Sequence, residues 1–370
     1  MSETDASRRL QRGTPAEAGL DDARLAVAWD LLESWVQDGS VPGAAMAVAR
    51  RGVLLDSRGF GDGNRAGQRQ PMAPDRVFLV ASVTKPVTAI AVMQLVERGL
   101  LSLSDRVQRH IPEFTGPGRD QIRVEHLLTH TSGLPDMLPE NLALRARHAP
   151  LAEFFKEVCR CGLLFAPGSR VSYQSMGTLL AAELVERLSG QSLAHDMAAD
   201  IFAPLKMDST SLGIRDDLVE RAVDVVLPDE QIGTNYHWNT EYWQRLGAPW
   251  GGMFATVDDL VRLLVATLAG GALEGQRVLG TLTNQAMISD RTANMAGLAA
   301  DDRQQHRWGL GWRLGAWGEL ASRDSFSHGG ATGTLVGADP QSGLACAVFT
   351  TRPGAPLHKV VTAVQAAVID

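Results

Sequence analysis

The spacing of apolar positions changes along the chain, and each change predicts a different element. Between Asp21 and Gly39, residues Leu25, Trp29, Leu32 and Val36 recur at steps of three and four. That spacing predicts an amphipathic helix with Gly39 as its stop. Residues 1–20, ahead of it, read as a loosely ordered lead-in. The period then shortens, and Ala44–Arg50 and Val53–Ser57 predict two strands joined by a turn at Arg51-Gly52. A second helix is predicted from about Ser82 through Ile90, Met93 and Val96 to Gly99. Pro86 sets its start, because a proline ring lacks an N–H and clashes with the carbonyl four residues back, so it fits a first helical turn.

Residues 100–250 predict short helices and loops, including helices at Val124–Leu128 and Met176–Leu188 and a turn at Pro167-Gly168. Thr256 and Asp259 have capping-box spacing, with Asp where Glu or Gln is usual, and open a helix through Leu260, Leu263 and Leu264. Strand patterns return in Trp308–Leu314, Ser325–His328, Thr334–Ala338 and Leu344–Thr351. Asp339 to Gly343 reads as the turn between the last two. Pro356 opens a terminal helix through Val360, Val364 and Val368. Strands at both ends of the chain and helices between them predict one sheet built from both ends, with a helical insertion.

Composition narrows the classes. The chain has 370 residues, 45% hydrophobic and 21% charged, which is a globular balance with enough length for a large core. The net charge is -7 and no basic run would track phosphates, so nucleic acid is not an expected partner. No stretch approaches the ~18 apolar residues of a membrane span, and Met1 to Thr14 lacks the apolar core of a signal peptide. The expectation is a soluble cytoplasmic protein without a membrane partner, its oligomeric state open. Cys159, Cys161 and Cys346 form no disulfide framework, and no cluster completes four metal ligands, so no metal or organic cofactor is expected.

The chemistry is concentrated in three stretches. Ser82-Val83-Thr84-Lys85 puts a hydroxyl and an amine on one helical face, one turn apart. A serine is a poor nucleophile until a base takes its proton, and a desolvated lysine can do so. The other reading makes Ser82 a helix cap and leaves Lys85 on a solvated face. Tyr173, within Val171-Ser172-Tyr173-Gln174-Ser175, is a proton-shuttle candidate or a tyrosine that simply packs its ring. In Ser327-His328-Gly329-Gly330-Ala331, the glycines let a ligand approach the backbone, and an N–H there could face that of Ser82 as an oxyanion hole. His328 is otherwise a surface histidine beside a turn.

The order Ser-x-x-Lys, Tyr-x-Ser, His-x-Gly resembles the serine β-lactamase and penicillin-binding superfamily, above all its class C-like branch. Other stretches fit that branch: Pro42-Gly43-Ala44-Ala45, Leu127 to Pro135 (LLTHTSGLP), Phe165 to Ser169 (FAPGS), Gly251 to Thr256 (GGMFAT) and Gly309-Leu310-Gly311-Trp312. The resemblance covers the chain from about residue 20 onward. It implies an α/β fold of the α+β kind: an antiparallel sheet flanked by helices over residues 20–80 and 251–370, and a mainly helical domain over 81–250. It implies that Ser82 is the acylated nucleophile, with Lys85 and Tyr173 sharing the general-base work. Ser175, His328, Gly329 and Gly330 would line the pocket, and the N–H groups of Ser82 and Ala331 would form the oxyanion hole. His126 and His130 are read as structural.

Two departures bear on substrate. Ser175 stands where many β-lactamases carry Asn, and His328-Gly329-Gly330 where many carry Lys-Thr-Gly. A lysine there is a fixed cation suited to a substrate carboxylate, whereas a histidine is largely neutral near pH 7. The expected activity is therefore serine hydrolysis of small carboxylic esters. The rivals are an amidase, D-peptidase or weak β-lactamase at the same site, and a binding or scaffold protein with a degenerate site.

Overall fold

A computed structural model describes residues 9–370. The main sheet has nine strands. Those from the first part of the chain are β1 (Gln11–Arg12), β2 (Gly43–Arg50), β3 (Val53–Leu54), β4 (Arg58–Arg65) and β5 (Gln68–Pro71). Next come β6 (Phe78–Leu79), β7 (Ser211–Leu212) and β8 (Met253–Ala255), which make a separate small sheet, and a short hairpin of β9 (Ala272–Leu273) and β10 (Gln276–Arg277). The remaining strands are β11 (Arg313–Leu314), β12 (Phe326–Gly330), β13 (Thr334–Asp339) and β14 (Leu344–Thr350). The main path runs β1-β3-β2-β14-β13-β12-β11, with β4 beside β2 and β5 beside β4. Among the described residues, β1 and β3 pair in parallel and the other strand pairs of this sheet are antiparallel.

The centre of this sheet joins the two ends of the chain. β2 and β14 pair along their lengths, with Val48 opposite Cys346 and Ala45 opposite Phe349. Every residue of both strands is buried. Alternation persists, but it sorts apolar residues between two cores rather than between core and water. Ala44, Met46, Val48, Leu344, Cys346 and Val348 pack with the helices Asp22–Gln37 and Leu357–Ala366. Ala45, Ala47, Ala49, Ala345, Ala347 and Phe349 face the other way, into the larger core shared with the helices Thr84–Glu97 and Val257–Leu268.

Several sequence expectations need correction. Residues 9–20 are not a loose lead-in: β1 pairs with β3, Leu20 is buried, and it bridges to Val368. Residues 1–8 lie outside the described residues. The second strand stops at Leu54 rather than Ser57. The hairpin of β4 and β5 was not expected, because its sequence is rich in Gly, Arg and Gln and only one position of β4 is buried. The strand expected over Trp308–Leu314 is confined to Arg313–Leu314, with Trp308 in an isolated bridge to Arg313. At the helix Val257–Leu268, Thr256 Oγ1 accepts from Asp259 N–H as a cap should. The reciprocal half is absent, since the Asp259 carboxylate accepts from Ser209 N–H and Thr210 Oγ1–H instead.

Candidate active site

Ser82 lies in a tight 3-10 turn, Ala81–Val83, that feeds directly into the helix Thr84–Glu97. Ala81 holds a left-handed φ of 45°, unfavourable for a residue with a Cβ. The turn is held by its neighbours. Val80 N–H donates to Met253 O at 2.9 Å, and Thr84 Oγ1 donates to Ala81 O at 2.6 Å and accepts from Met253 N–H at 3.0 Å. The segment 249–253 therefore runs alongside the first turn of the helix.

The helix is buried on every side from Thr84 to Leu95, so Lys85 has no route to solvent along its own stem. It is 3% exposed. Its Nζ lies 2.9 Å from Ser82 Oγ and donates to Trp250 O at 2.9 Å. Burial pulls its pKa down from 10.5 to about 7, against an upward pull from the Asp136 carboxylate. A neutral Lys85 keeps a lone pair for the Ser82 proton. The cap reading of Ser82 fails here: no side chain caps this helix, and the Ser82 hydroxyl engages Lys85.

Tyr173 comes from an irregular segment before the helix Met176–Ser189. Its ring centroid lies 4.6 Å from Lys85 Nζ. The residue is 36% exposed, yet burial at the hydroxyl raises its pKa above the usual phenol value, with the contact to Ser82 opposing the rise. The phenol is neutral at pH 7 and able to pass a proton.

The turn after β12 closes the other side. Thr334 Oγ1 donates to Val80 O at 3.0 Å, and Thr332 Oγ1 to Leu79 O, which pins this turn to the strand leading into Ser82. A Cβ on Gly330 would lie 2.3 Å from Val80 O, so the close approach requires glycine. Ala331 follows in the turn and is exposed. Among the described residues, neither the Ser82 N–H nor the Ala331 N–H donates to a protein acceptor. Gly329 is exposed at the edge of β12.

His328 is buried, its Nδ1 paired with Gly329 O at 2.8 Å. Burial, reinforced by Lys85, brings its pKa down to about 3, so it is neutral at pH 7 and offers no fixed cation. Its Nε2 has no protein partner. Ser175 Oγ donates to Asp136 Oδ1 at 2.6 Å and thus faces a carboxylate.

Three contributors were not anticipated as site residues. Asp136 directly follows the quoted LLTHTSGLP stretch and sits close enough to act on Lys85 and Tyr173. Trp308 lies tilted to the Tyr173 and His328 rings, at 6.1 and 6.0 Å between centroids, and meets His130 edge-on at 4.3 Å. His130 itself belongs to the site wall, 4.7 Å from the Tyr173 ring. Its paired reading with His126 separates here: His126 lines a different cleft with Asp290 and Arg291. A signal for Asp136 and His130 was present in the polar residues of that one loop, but Trp308 carried none. A cavity of about 580 Å³, lined in part by Pro135, Met137, Leu163 and Leu164, flanks the Asp136 loop; Ser82, Lys85 and Tyr173 do not line it.

A hydroxyl, a buried amine poised near neutrality, a phenol and two free N–H donors are the parts an acyl transfer through serine needs. The Beta-lactamase family model matches residues 26–369, and the chain belongs to that family. Its relatives include Esterase EstB of Burkholderia gladioli, 30% identical over 349 residues that cover 85% of this chain and 86% of that protein. A penicillin-binding protein homologue from Caulobacter crescentus superposes with a TM-score of 0.79 at 24% identity, covering 95% of this chain and 99% of its own. A family VIII carboxylesterase superposes with a TM-score of 0.77 at 20% identity, with coverage of 95% and 99%. These structures share the fold. Among the described residues, no helix is long and apolar enough to cross a membrane.

Proposed function

We propose that this protein is a serine hydrolase that cleaves small carboxylic esters through an acyl-enzyme on Ser82. The observation that carries the reading is the buried Lys85 amine 2.9 Å from the Ser82 hydroxyl, with the Tyr173 ring over it. Neutral Lys85 takes the Ser82 proton as the oxygen attacks the ester carbonyl. The N–H groups of Ser82 and Ala331 hold the resulting oxyanion. As the tetrahedral intermediate collapses, the C–O bond to the alcohol breaks and Tyr173 returns the proton to the leaving oxygen, drawing it from Lys85. Water, deprotonated by the same pair, then attacks the acyl-enzyme and frees the acid and Ser82.

The ester preference rests on charge. With His328 neutral and the Ser175 hydroxyl donating to the Asp136 carboxylate, neither of these two positions presents a fixed cation to a substrate carboxylate. The similarity to Esterase EstB supports the same choice. The parts come from both expected domains: Ser82, Lys85, Asp136 and Tyr173 from 81–250, and Trp308, His328 and Ala331 from 251–370. The test is hydrolysis of a short-chain aryl ester by the wild type and Ser82→Ala, beside a D-amino-acid amide and a cephalosporin. Intact mass after mixing with ester reports the adduct. Equal ester rates for the two proteins, or faster turnover of the amide or lactam, overturns the assignment.

A further inference from the structure

We propose that His130 is a positioning residue that fixes Tyr173 for proton transfer; this rests on the catalytic reading of Tyr173. Residues 171–174 lie in no helix or strand, so the backbone around the phenol has no ladder of its own. His130 replaces it. Its carbonyl accepts from Ser172 N–H at 2.9 Å, and its ring Nδ1 accepts from Gln174 N–H at 3.2 Å. One residue thus holds the chain on both sides of Tyr173, while its ring lies against the Tyr173 ring at 4.7 Å.

The clamp is itself anchored. Trp308 packs edge-on against the His130 ring, 4.3 Å between centroids. Gln174 is fully buried; its side-chain Nε2 donates to His126 O at 3.0 Å, and its Oε1 accepts from Ser132 Oγ. His130 holds a left-handed φ of 59°, a conformation that His and Asn accept more readily than most residues. Because Nδ1 accepts from Gln174, the neutral ring carries its proton on Nε2. Protonation of Nδ1 would break the bond to Gln174, and burial disfavours it.

A double-mutant cycle separates positioning from general structural support. His130→Leu removes the ring acceptor. His130→Asn keeps an acceptor near the place of Nδ1 and tolerates the left-handed backbone. His130→Leu is expected to lower kcat about 10- to 100-fold with KM changed less than about threefold, since small misplacements in an active site carry costs of that size. His130→Asn recovers most of the loss. Tyr173→Phe alone loses about 100- to 10,000-fold, and adding His130→Leu to it costs less than about twofold further, because the clamp then has no phenol to place. Melting temperatures are taken for every variant; if His130→Leu shows no transition, His130→Met replaces it in the cycle. The inference is overturned if His130→Leu costs the same factor with and without the Tyr173 hydroxyl, or if His130→Asn is as impaired as His130→Leu. A fully active Tyr173→Phe overturns the catalytic reading and this inference with it. An impaired Tyr173→Phe beside an undisturbed His130→Leu overturns this inference alone.

Discussion

Lys85 Nζ and Ser82 Oγ stand 2.9 Å apart, one helical turn from each other and shielded by a helix that is buried all round. The contact joins the proposed nucleophile to an amine that burial has made weakly basic. Its first consequence is a pH dependence. Lys85 acts as a base only when neutral, and its pKa is lowered to about 7. Ester kcat/KM is expected to rise with pH through about 7 and then level off. Rates independent of pH between about 5.5 and 8.5 would exclude Lys85 as the titrating base.

Asp136 tunes that limb. Its negative charge favours protonated Lys85 and so raises the lysine pKa. Asp136→Asn keeps an oxygen for Ser175 Oγ and removes the charge. The acid limb of the kcat/KM profile is expected to move to lower pH. A limb that stays put or moves upward shows that the carboxylate does not act on Lys85.

The same burial costs stability. In the unfolded chain Lys85 keeps its proton up to about 10.5, whereas the folded protein releases it near 7. Below pH 7 both states are protonated there, and folding bears the full cost of burying the ammonium. Between 7 and 10.5 the unfolded state binds the extra proton, so stability rises with pH as that proton is lost. Lys85→Met removes the amine. It is expected to be inactive yet to melt above the wild type at pH 6, with the gap narrowing by pH 9. A variant that melts lower at pH 6, or a gap that widens with pH, contradicts the account.

Gly330 and Gly329 are neighbours with opposite tolerances. A Cβ at Gly330 would fall 2.3 Å from Val80 O and 2.2 Å from Thr334 Oγ1, so Gly330→Ala must push the turn away from the Ser82 strand. The expected result is a loss of about 100- to 1,000-fold in kcat, the size seen when an oxyanion-hole donor is removed. A Cβ at Gly329 meets nothing nearer than 3.8 Å. Gly329→Ala is expected to melt within about 2 °C of the wild type, as exposed substitutions without strain do. Paired kinetics and melting curves check both; an active Gly330→Ala removes Ala331 from the oxyanion hole.

Much of this was legible in one dimension. The helix at Ser82 was placed by Pro86, and the helices after Asp21 and Pro356 by their apolar spacing, because local sterics and amphipathic period act over a few residues. The Ser82–Lys85 contact was also readable, since a three-residue step on a helix is itself a distance. The β4–β5 hairpin was not. Nearly all of its residues are exposed or half-buried and few are β-formers, and it exists because β2 offers an edge to pair with. The site wall was missed for a related reason: Trp308 and His130 are 178 positions apart, and nothing local to either announces the other.

The sequence by itself determined which groups are available: one hydroxyl and one amine a turn apart, a tyrosine ahead of a helix, a glycine-rich strand end and an apolar pair of strands at the two ends of the chain. Local geometry suffices for those. Only the tertiary structure decided that Lys85 is sealed from water, that His328 is neutral, that Asp136 reaches the site and that His130 brackets Tyr173. Each depends on burial or on a field from distant residues. Both are properties of how the chain encloses space and neither is written at any one position.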